Sequence, residues 1–247
     1  MKSKIVDKIL TQARIFYEMS KGKAKYPKLG PTFGYFLDHP FSALNKKRLA
    51  SILDYSRYIS RKLGKPIKIV DFACGGGLVS SALSYPKNFV VGVDCDQDEL
   101  LLAKLFVKQS KIARVKYLRA DLVARDKWET NITKLLKGKP DVAVLAYALH
   151  HLPAVEKFIH RLSNYMPKNS YLIINEENYI SPTFRLKHFI RTHLQKDTDV
   201  EHQRSYRQWK DILERNNFTI IESSMYDLIP MPEDLRWSMV ILLQKTS

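Results

Sequence analysis

Three carboxylates, a run of glycines and a pair of histidines carry most of the chemistry in this 247-residue chain. Asp71 opens the stretch Asp71-Phe72-Ala73-Cys74-Gly75-Gly76-Gly77, directly after the apolar residues Ile67, Ile69 and Val70. A strand that breaks into glycines and re-forms as a helix from Leu78 clears side chains from the turn. Backbone N–H groups and a helix N-terminus can then approach a polar or anionic ligand. A plain strand-to-helix turn in an α/β core would read the same way. Asp94 closes the next apolar run, about 20 residues beyond the turn, where a carboxylate can accept both hydroxyls of a ribose. Asp121, followed by Leu122, closes the run after that, where a carboxylate can accept the exocyclic amine of an adenine. The three features in this order describe a pocket for an adenosine-containing ligand.

A second group lies further along. Tyr147-Ala148-Leu149-His150-His151 follows the apolar run 141–147, and Glu176-Glu177 follows the run 170–176. A histidine can take a proton near neutral pH, so His150 and His151 are candidate catalytic bases; Glu176, the third catalytic candidate, and Glu177 could bind a cationic acceptor or pair with the histidines. The blander alternatives are that one histidine caps the next helix while the other packs under the ligand, and that Glu176 pairs with Arg204 or Arg207. Tyr147, His202, Arg204, Tyr206 and Trp209 are candidates for lining an acceptor pocket.

These residues need elements to position them. Strands are expected at 67–73, 88–94, 114–120, 141–147 and 170–176, alternating with helices at 77–84, 96–109, 126–137 and 153–166. Such alternation implies a parallel sheet with helices on both faces. Ligands of such sheets bind outside the carboxyl ends of the strands, and Asp71, Asp94, Asp121, Tyr147 and Glu176 all fall there. After 177 the pattern changes to a basic amphipathic helix at 181–196, a helix at 205–216, and two strands at 218–227 and 236–245 that form a hairpin at one edge. Ahead of the sheet, helices at 1–20 and 43–63 flank an aromatic-rich loop carrying Tyr26, Phe33, Tyr35, Phe36 and Phe41. That loop either covers an apolar substrate, stacks on bases, or staples the first helix to the core.

Composition bounds the reading. An apolar fraction of 45% suits a packed globular chain, and no apolar run approaches the roughly 20 residues of a membrane span. The opening residues are too mixed in charge for a secretory signal. The expectation is a soluble, cytoplasmic protein. Two cysteines, Cys74 and Cys95, make neither a disulfide framework nor a zinc spacing. Net charge is +16, and residues 1–65 hold 15 Lys/Arg against 4 Asp/Glu. That excess either attracts RNA, an anionic surface or an acidic substrate, or reflects a bias toward lysine on solvated faces.

A nicotinamide dinucleotide site would carry G-x-G-x-x-G, but here Ser80 stands at the third glycine. The acid before the turn and the further acid after the third strand instead resemble the class I S-adenosylmethionine-dependent methyltransferases. That family's first motif is D-x-G-x-G-x-G, matched by residues 71–77 with Ala73 in place of the first glycine. The resemblance spans about 67–245. It includes ALHHL at 148–152, as in small-molecule members, and RSYRQWKDILERNNF at 204–218. It implies a Rossmann-like α/β fold with a seven-stranded, mostly parallel sheet whose seventh strand is reversed. The implied domains are a helical, aromatic extension at 1–65 acting as lid or docking segment, and a donor-binding domain at 66–247. The implied donor is S-adenosylmethionine, leaving as S-adenosylhomocysteine. Its expected contacts are Asp71, Ala73, Cys74, Gly75, Gly77, Asp94, Cys95, Asp121, Leu122 and Ala146.

The resemblance also bounds the chemistry. Methyl transfer is an in-line displacement in which alignment of the partners supplies about 7–11 kcal/mol, and a base is needed only for a protonated nucleophile. Ubiquinone-pathway members carry acids where Tyr147 and His150 stand here, so no metal is assigned. The Asn/Asp-Pro-Pro-aromatic signature of base-methylating members is absent. The leading expectation is a small-molecule or lipid-like acceptor. The alternatives are an RNA or protein methyltransferase using the basic N-terminal region, and a non-catalytic donor-binding subunit. A monomer or a homodimer is expected.

Overall fold

The computed structural model describes residues 2–20, 37, 42–85, 87–124, 127–190, 202–227 and 229–247. Seven strands form one sheet in the order β3-β2-β1-β4-β5-β7-β6. They are β1 Lys68–Phe72, β2 Phe89–Asp94, β3 Val115–Arg119, β4 Val142–Ala146, β5 Tyr171–Glu177, β6 Phe218–Tyr226 and β7 Ser238–Lys245. The first five pair in parallel, and β7 runs antiparallel to both β5 and β6. The expected hairpin is therefore present, with its second strand inserted between β5 and its first. Strand order reverses beside β1, whose neighbours are β2 and β4. At such a switch point the connecting turns part and leave a crevice at the strand ends.

The helices sort onto two faces, because the pleat sends alternate side chains to opposite sides. Ile69 and Ile173 face one apolar cluster, while Val70, Phe72, Leu172 and Ile174 face the other. Strands buried on both faces read as continuous apolar runs, which is why they were visible in the sequence. On the first face lie α1 (Lys2–Ser20), α2 (Ser42–Leu63), α3 (Leu78–Leu83) and α4 (Gln97–Gln109). On the second lie α5 (Trp128–Leu136), α6 (Val155–Tyr165) and, after the short α7 (Pro182–Phe189), α8 (Tyr206–Arg215). The expected helix at 181–196 is described only as far as residue 190.

The two N-terminal helices form part of this sandwich. Val6, Ile9, Ala13 and Phe16 make one stripe at helical spacing and are buried, as are Leu49, Ile52 and Ile59 of α2. Burying a side chain such as Phe16 contributes about 1.5–3 kcal/mol. The aromatic loop expected to act as a lid lies outside the described residues, as do Tyr26, Phe33, Tyr35, Phe36 and Phe41. Among the described residues, no helix is long and apolar enough to cross a membrane.

Candidate active site at the strand ends

Phe72, the last residue of β1, is gripped edge-on by Trp128 at 5.2 Å and Phe158 at 5.5 Å. Each such aromatic pair adds about 0.5–1.5 kcal/mol beyond area burial, so the turn that follows leaves from a fixed point. Ala73, Gly75 and Gly77 all have left-handed backbone, with φ of 52°, 47° and 75°. For Ala73 that conformation costs about 1–2 kcal/mol, the penalty of replacing the family's first glycine. The Cys74 N–H donates to the Val93 carbonyl at 3.0 Å, tying the turn to β2.

Asp94 sits at the end of β2 with its carboxylate already oriented. Its Oδ2 accepts from the Gly75 N–H at 2.7 Å, and its Oδ1 from the Asp96 N–H at 2.9 Å. Asp96 in turn caps α4 by accepting from the Asp98 and Glu99 N–H groups. Asp121 is exposed after β3, and its Oδ1 accepts from the Val123 and Ala124 N–H groups at 2.8 and 3.1 Å. Leu122 beside it is buried, and Ala146 lies half-buried at the end of β4.

Three expected donor contacts take on structural tasks. Asp71 is only 1% exposed and lies beneath the turn, where its Oδ2 accepts from the Ser80 hydroxyl at 2.5 Å. Burial pushes its carboxyl up to about 7; the Ser80 hydrogen bond opposes that shift and the Asp94 charge adds to it. Gly77 faces Tyr117 of β3: a Cβ there would collide with the phenol oxygen and lie 2.8 Å from the Ala103 Cβ. Its smallness therefore serves packing between α3, α4 and β3. Cys74 is buried, and desolvation, then Asp71 and Asp94, hold its thiol well above the usual range, so it is no nucleophile. Cys95, by contrast, is exposed.

The second group converges on Glu176, which is 1% exposed. Its Oε1 accepts from the Ala148 and Leu149 N–H groups at 3.1 and 2.7 Å, and its Oε2 meets His150 Nδ1 at 2.6 Å. A carboxylate accepts only, so His150 Nδ1 carries a proton, and in the neutral ring Nε2 is the acceptor nitrogen. The suggested ion pair of Glu176 with Arg204 or Arg207 is thus replaced by a histidine and two backbone groups. His151 is exposed, and its ring stands 4.0 Å from that of His150. The His202 N–H donates to the His150 carbonyl at 2.7 Å, bringing the 202–206 segment alongside.

That segment is pinned by a residue sequence reasoning missed. Asn178 is fully buried, donates to the Asp234 and Arg236 carbonyls, and accepts from the Tyr206 N–H. Arg204 donates to the His202 carbonyl and lays its guanidinium over Trp209 at 5.0 Å. Trp209, a candidate pocket residue by sequence, is 0% exposed in the apolar cluster behind the sheet. Tyr147, left-handed with φ 62°, holds its N–H on the Asn175 carbonyl. The Arg48 guanidinium stacks on the Tyr147 ring at 3.9 Å, and Arg48 itself is 0% exposed on α2. One signal could have found it: Arg48 lies midway between Leu44 and Ile52 on the helix's apolar stripe.

A family model described as "Methyltransferase domain" matches residues 44–223. The chain is a class I S-adenosylmethionine-dependent methyltransferase. Ubiquinone biosynthesis O-methyltransferase of Pelagibacter ubique is 29% identical over 50% of this chain and 47% of its own. The enzyme of that name from Bartonella quintana is 26% identical over 74% and 75%. The chain spans about half the length of the first such relatives it matches. Magnesium protoporphyrin IX methyltransferase of Synechocystis, solved with bound S-adenosylmethionine, shares the fold at a TM-score of 0.59 and 15% identity, covering 96% of this chain and 90% of that one. The donor set of this methyltransferase suits that cofactor: oriented carboxylates at adjacent strand ends match a ribose diol and an adenine amine, beside a turn of left-handed backbone.

Proposed function

We propose that this methyltransferase transfers its methyl group to a hydroxyl of a small-molecule or lipid-like acceptor, with His150 as general base. The observation that carries this reading is the buried Glu176 carboxylate fixed on His150 Nδ1 at 2.6 Å. It directs Nε2 as a proton acceptor at the end of β4. Asp94 is the residue we assign to the ribose, and Asp121 with Leu122 to the adenine side. Ala73, Gly75, Cys95 and Ala146 would border the donor through backbone or small side chains. Asp71, Cys74 and Gly77 would support the turn from beneath.

When bound, the donor supplies an activated methyl on a sulfonium. The chain's own work is then alignment and proton handling. A bound donor would give up its methyl group to the acceptor oxygen and leave as S-adenosylhomocysteine, and His150 Nε2 would take the hydroxyl's proton. Glu176 acts through His150: its charge stabilises the imidazolium and its two backbone contacts fix the 148–150 turn. Tyr147, His202, Arg204 and Tyr206 would line the acceptor, and the similarity to ubiquinone biosynthesis O-methyltransferases supports oxygen as the methylated atom.

The test uses methyl-labelled donor with a host extract fractionated into small molecules, lipids, RNA and protein. Label in the small-molecule or lipid fraction is expected. His150→Gln should lower turnover by about 10²–10⁴ with S-adenosylhomocysteine affinity retained. Label confined to RNA or protein, or full turnover by the variant, would sink the proposal.

A further inference from the structure

A basic groove lies on the edge of the sheet, outside the donor and acceptor ends. β3 is the outermost strand, and α4, β3 and α5 border a groove of about 560 Å³. Its rim carries Lys104, Lys108, Lys111 and Lys116, all exposed. Its floor is apolar: Val107, Ile112, Val115, Leu135 and the ring of Tyr117.

Lys104, Lys108 and Lys111 recur at helical spacing along α4 and the turn after it, where like charges repel. Three lysines elsewhere meet carboxylates: Lys46 with Asp7 at 2.6 Å, Lys65 with Asp141 at 2.8 Å, Lys210 with Glu214 at 3.8 Å. Among the described residues no such partner faces the four rim lysines. The volume falls in the range of small-molecule sites, about 300–1,000 Å³, which combine apolar walls with a few placed polar groups. A nucleic acid strand would want exposed aromatic platforms for its bases, whereas this floor is mostly aliphatic.

The floor also touches the donor turn. Tyr117 lies across Gly92, its ring 2.7 Å from where a Cβ would stand, and its phenol oxygen abuts Gly77. One side chain thus forms part of the groove and part of the packing under the glycine turn.

We propose that this groove binds an amphipathic anion, an apolar body ending in a carboxylate or phosphate, and that Tyr117 couples its occupancy to donor binding. The rim lysines hold the anionic head, and the aliphatic floor takes the body. A ligand that shifts Tyr117 shifts the turn, and by linkage donor and anion change each other's affinity by the same factor.

The test titrates dodecanoate, dodecyl phosphate and uncharged dodecanol, all below micelle formation, into the full chain by calorimetry. One site is expected for each anion, with dodecanol about tenfold weaker, since charge-assisted contacts to the head are lost. The stronger of the two anions identifies the head group. Lys108→Glu/Lys111→Glu should weaken the anions about tenfold or more and leave dodecanol unchanged, with circular dichroism confirming the fold. Lys111→Gln should give a smaller loss in the same direction. Saturating anion should change S-adenosylhomocysteine affinity about fivefold in the wild type and not in the double variant. Equal binding of dodecanol, unaltered anion affinity in the double variant, or tighter competing binding of an oligouridine would overturn the site. An S-adenosylhomocysteine affinity indifferent to anion in the wild type would overturn the coupling.

Discussion

The strand ends we propose for the donor and those we propose for the acceptor use carboxylates in different ways. At the ends of β2 and β3, Asp94 is half-buried and Asp121 exposed, each steered by backbone N–H groups, Asp94 by those of Gly75 and Asp96 and Asp121 by those of its own turn. At the end of β5, Glu176 is buried and gathers a histidine and two N–H groups from the connection after β4. A carboxylate that is not fully buried and is oriented by backbone N–H groups remains available to a ligand's hydroxyls. A buried carboxylate spends its acceptor capacity inward, on holding another residue in place. On the proposed reading, the donor end is built for contact and the acceptor end for positioning.

The largest expected effect breaks the positioning half. Glu176→Ala leaves two N–H groups and an imidazole without their acceptor, and should destabilise the fold by about 3–5 kcal/mol in urea titrations. A loss below about 1 kcal/mol would show that the carboxylate does not hold the 148–150 turn.

Asp71 sharpens the comparison, because it is a donor-end acid that is buried like Glu176. Its folded value, raised from 3.8 to about 7, means the native state keeps a proton that the unfolded chain releases. Stability should therefore fall as pH rises from about 4 to 7, by up to about 4 kcal/mol at 1.36 kcal/mol per unit, and level off above that. Asp71→Asn should remove this slope from the wild-type profile, measured as urea midpoints across that range. An identical slope in the variant would assign it to other groups.

Gly77→Ala tests whether the third glycine serves packing. With φ at 75° and the Tyr117 oxygen in the way, the added methyl should cost about 1–3 kcal/mol. Tyr117→Phe in the same chain should recover part of it. If it recovers nothing, the collision is not the cause. The smallest effect on stability is expected at the contact half. Asp94→Ala should leave the urea midpoint nearly unchanged and weaken S-adenosylhomocysteine by about tenfold or more in calorimetry, and an intact affinity would remove Asp94 from the donor site.

What the sequence determined by itself is the part of the protein that rests on local periodicity. Strands buried on both faces are apolar runs, helices are stripes, and glycines mark the turn, so the strands and helices and the positions of Asp94, Asp121 and Glu176 at strand ends could be read in advance, while the reversed seventh strand came from the family resemblance. Even the start of α8 is written locally, in the Ser205–Gln208 capping box. Only the tertiary structure decided what each of these residues does. Asp71 and Asp94 are both acids at strand ends, yet one lies under α3 and the other faces outward. Gly75 and Gly77 are both left-handed glycines, yet one donates to Asp94 and the other makes room for Tyr117, forty residues away. Glu176 chose His150 over the arginines, Trp209 went into the core, and Arg48 of α2 reached Tyr147 at the end of β4 on the same face of the sheet. Each of those outcomes depends on which side chains share a desolvated space, and that is set by sheet order and helix packing over long chain separations, which no local pattern encodes.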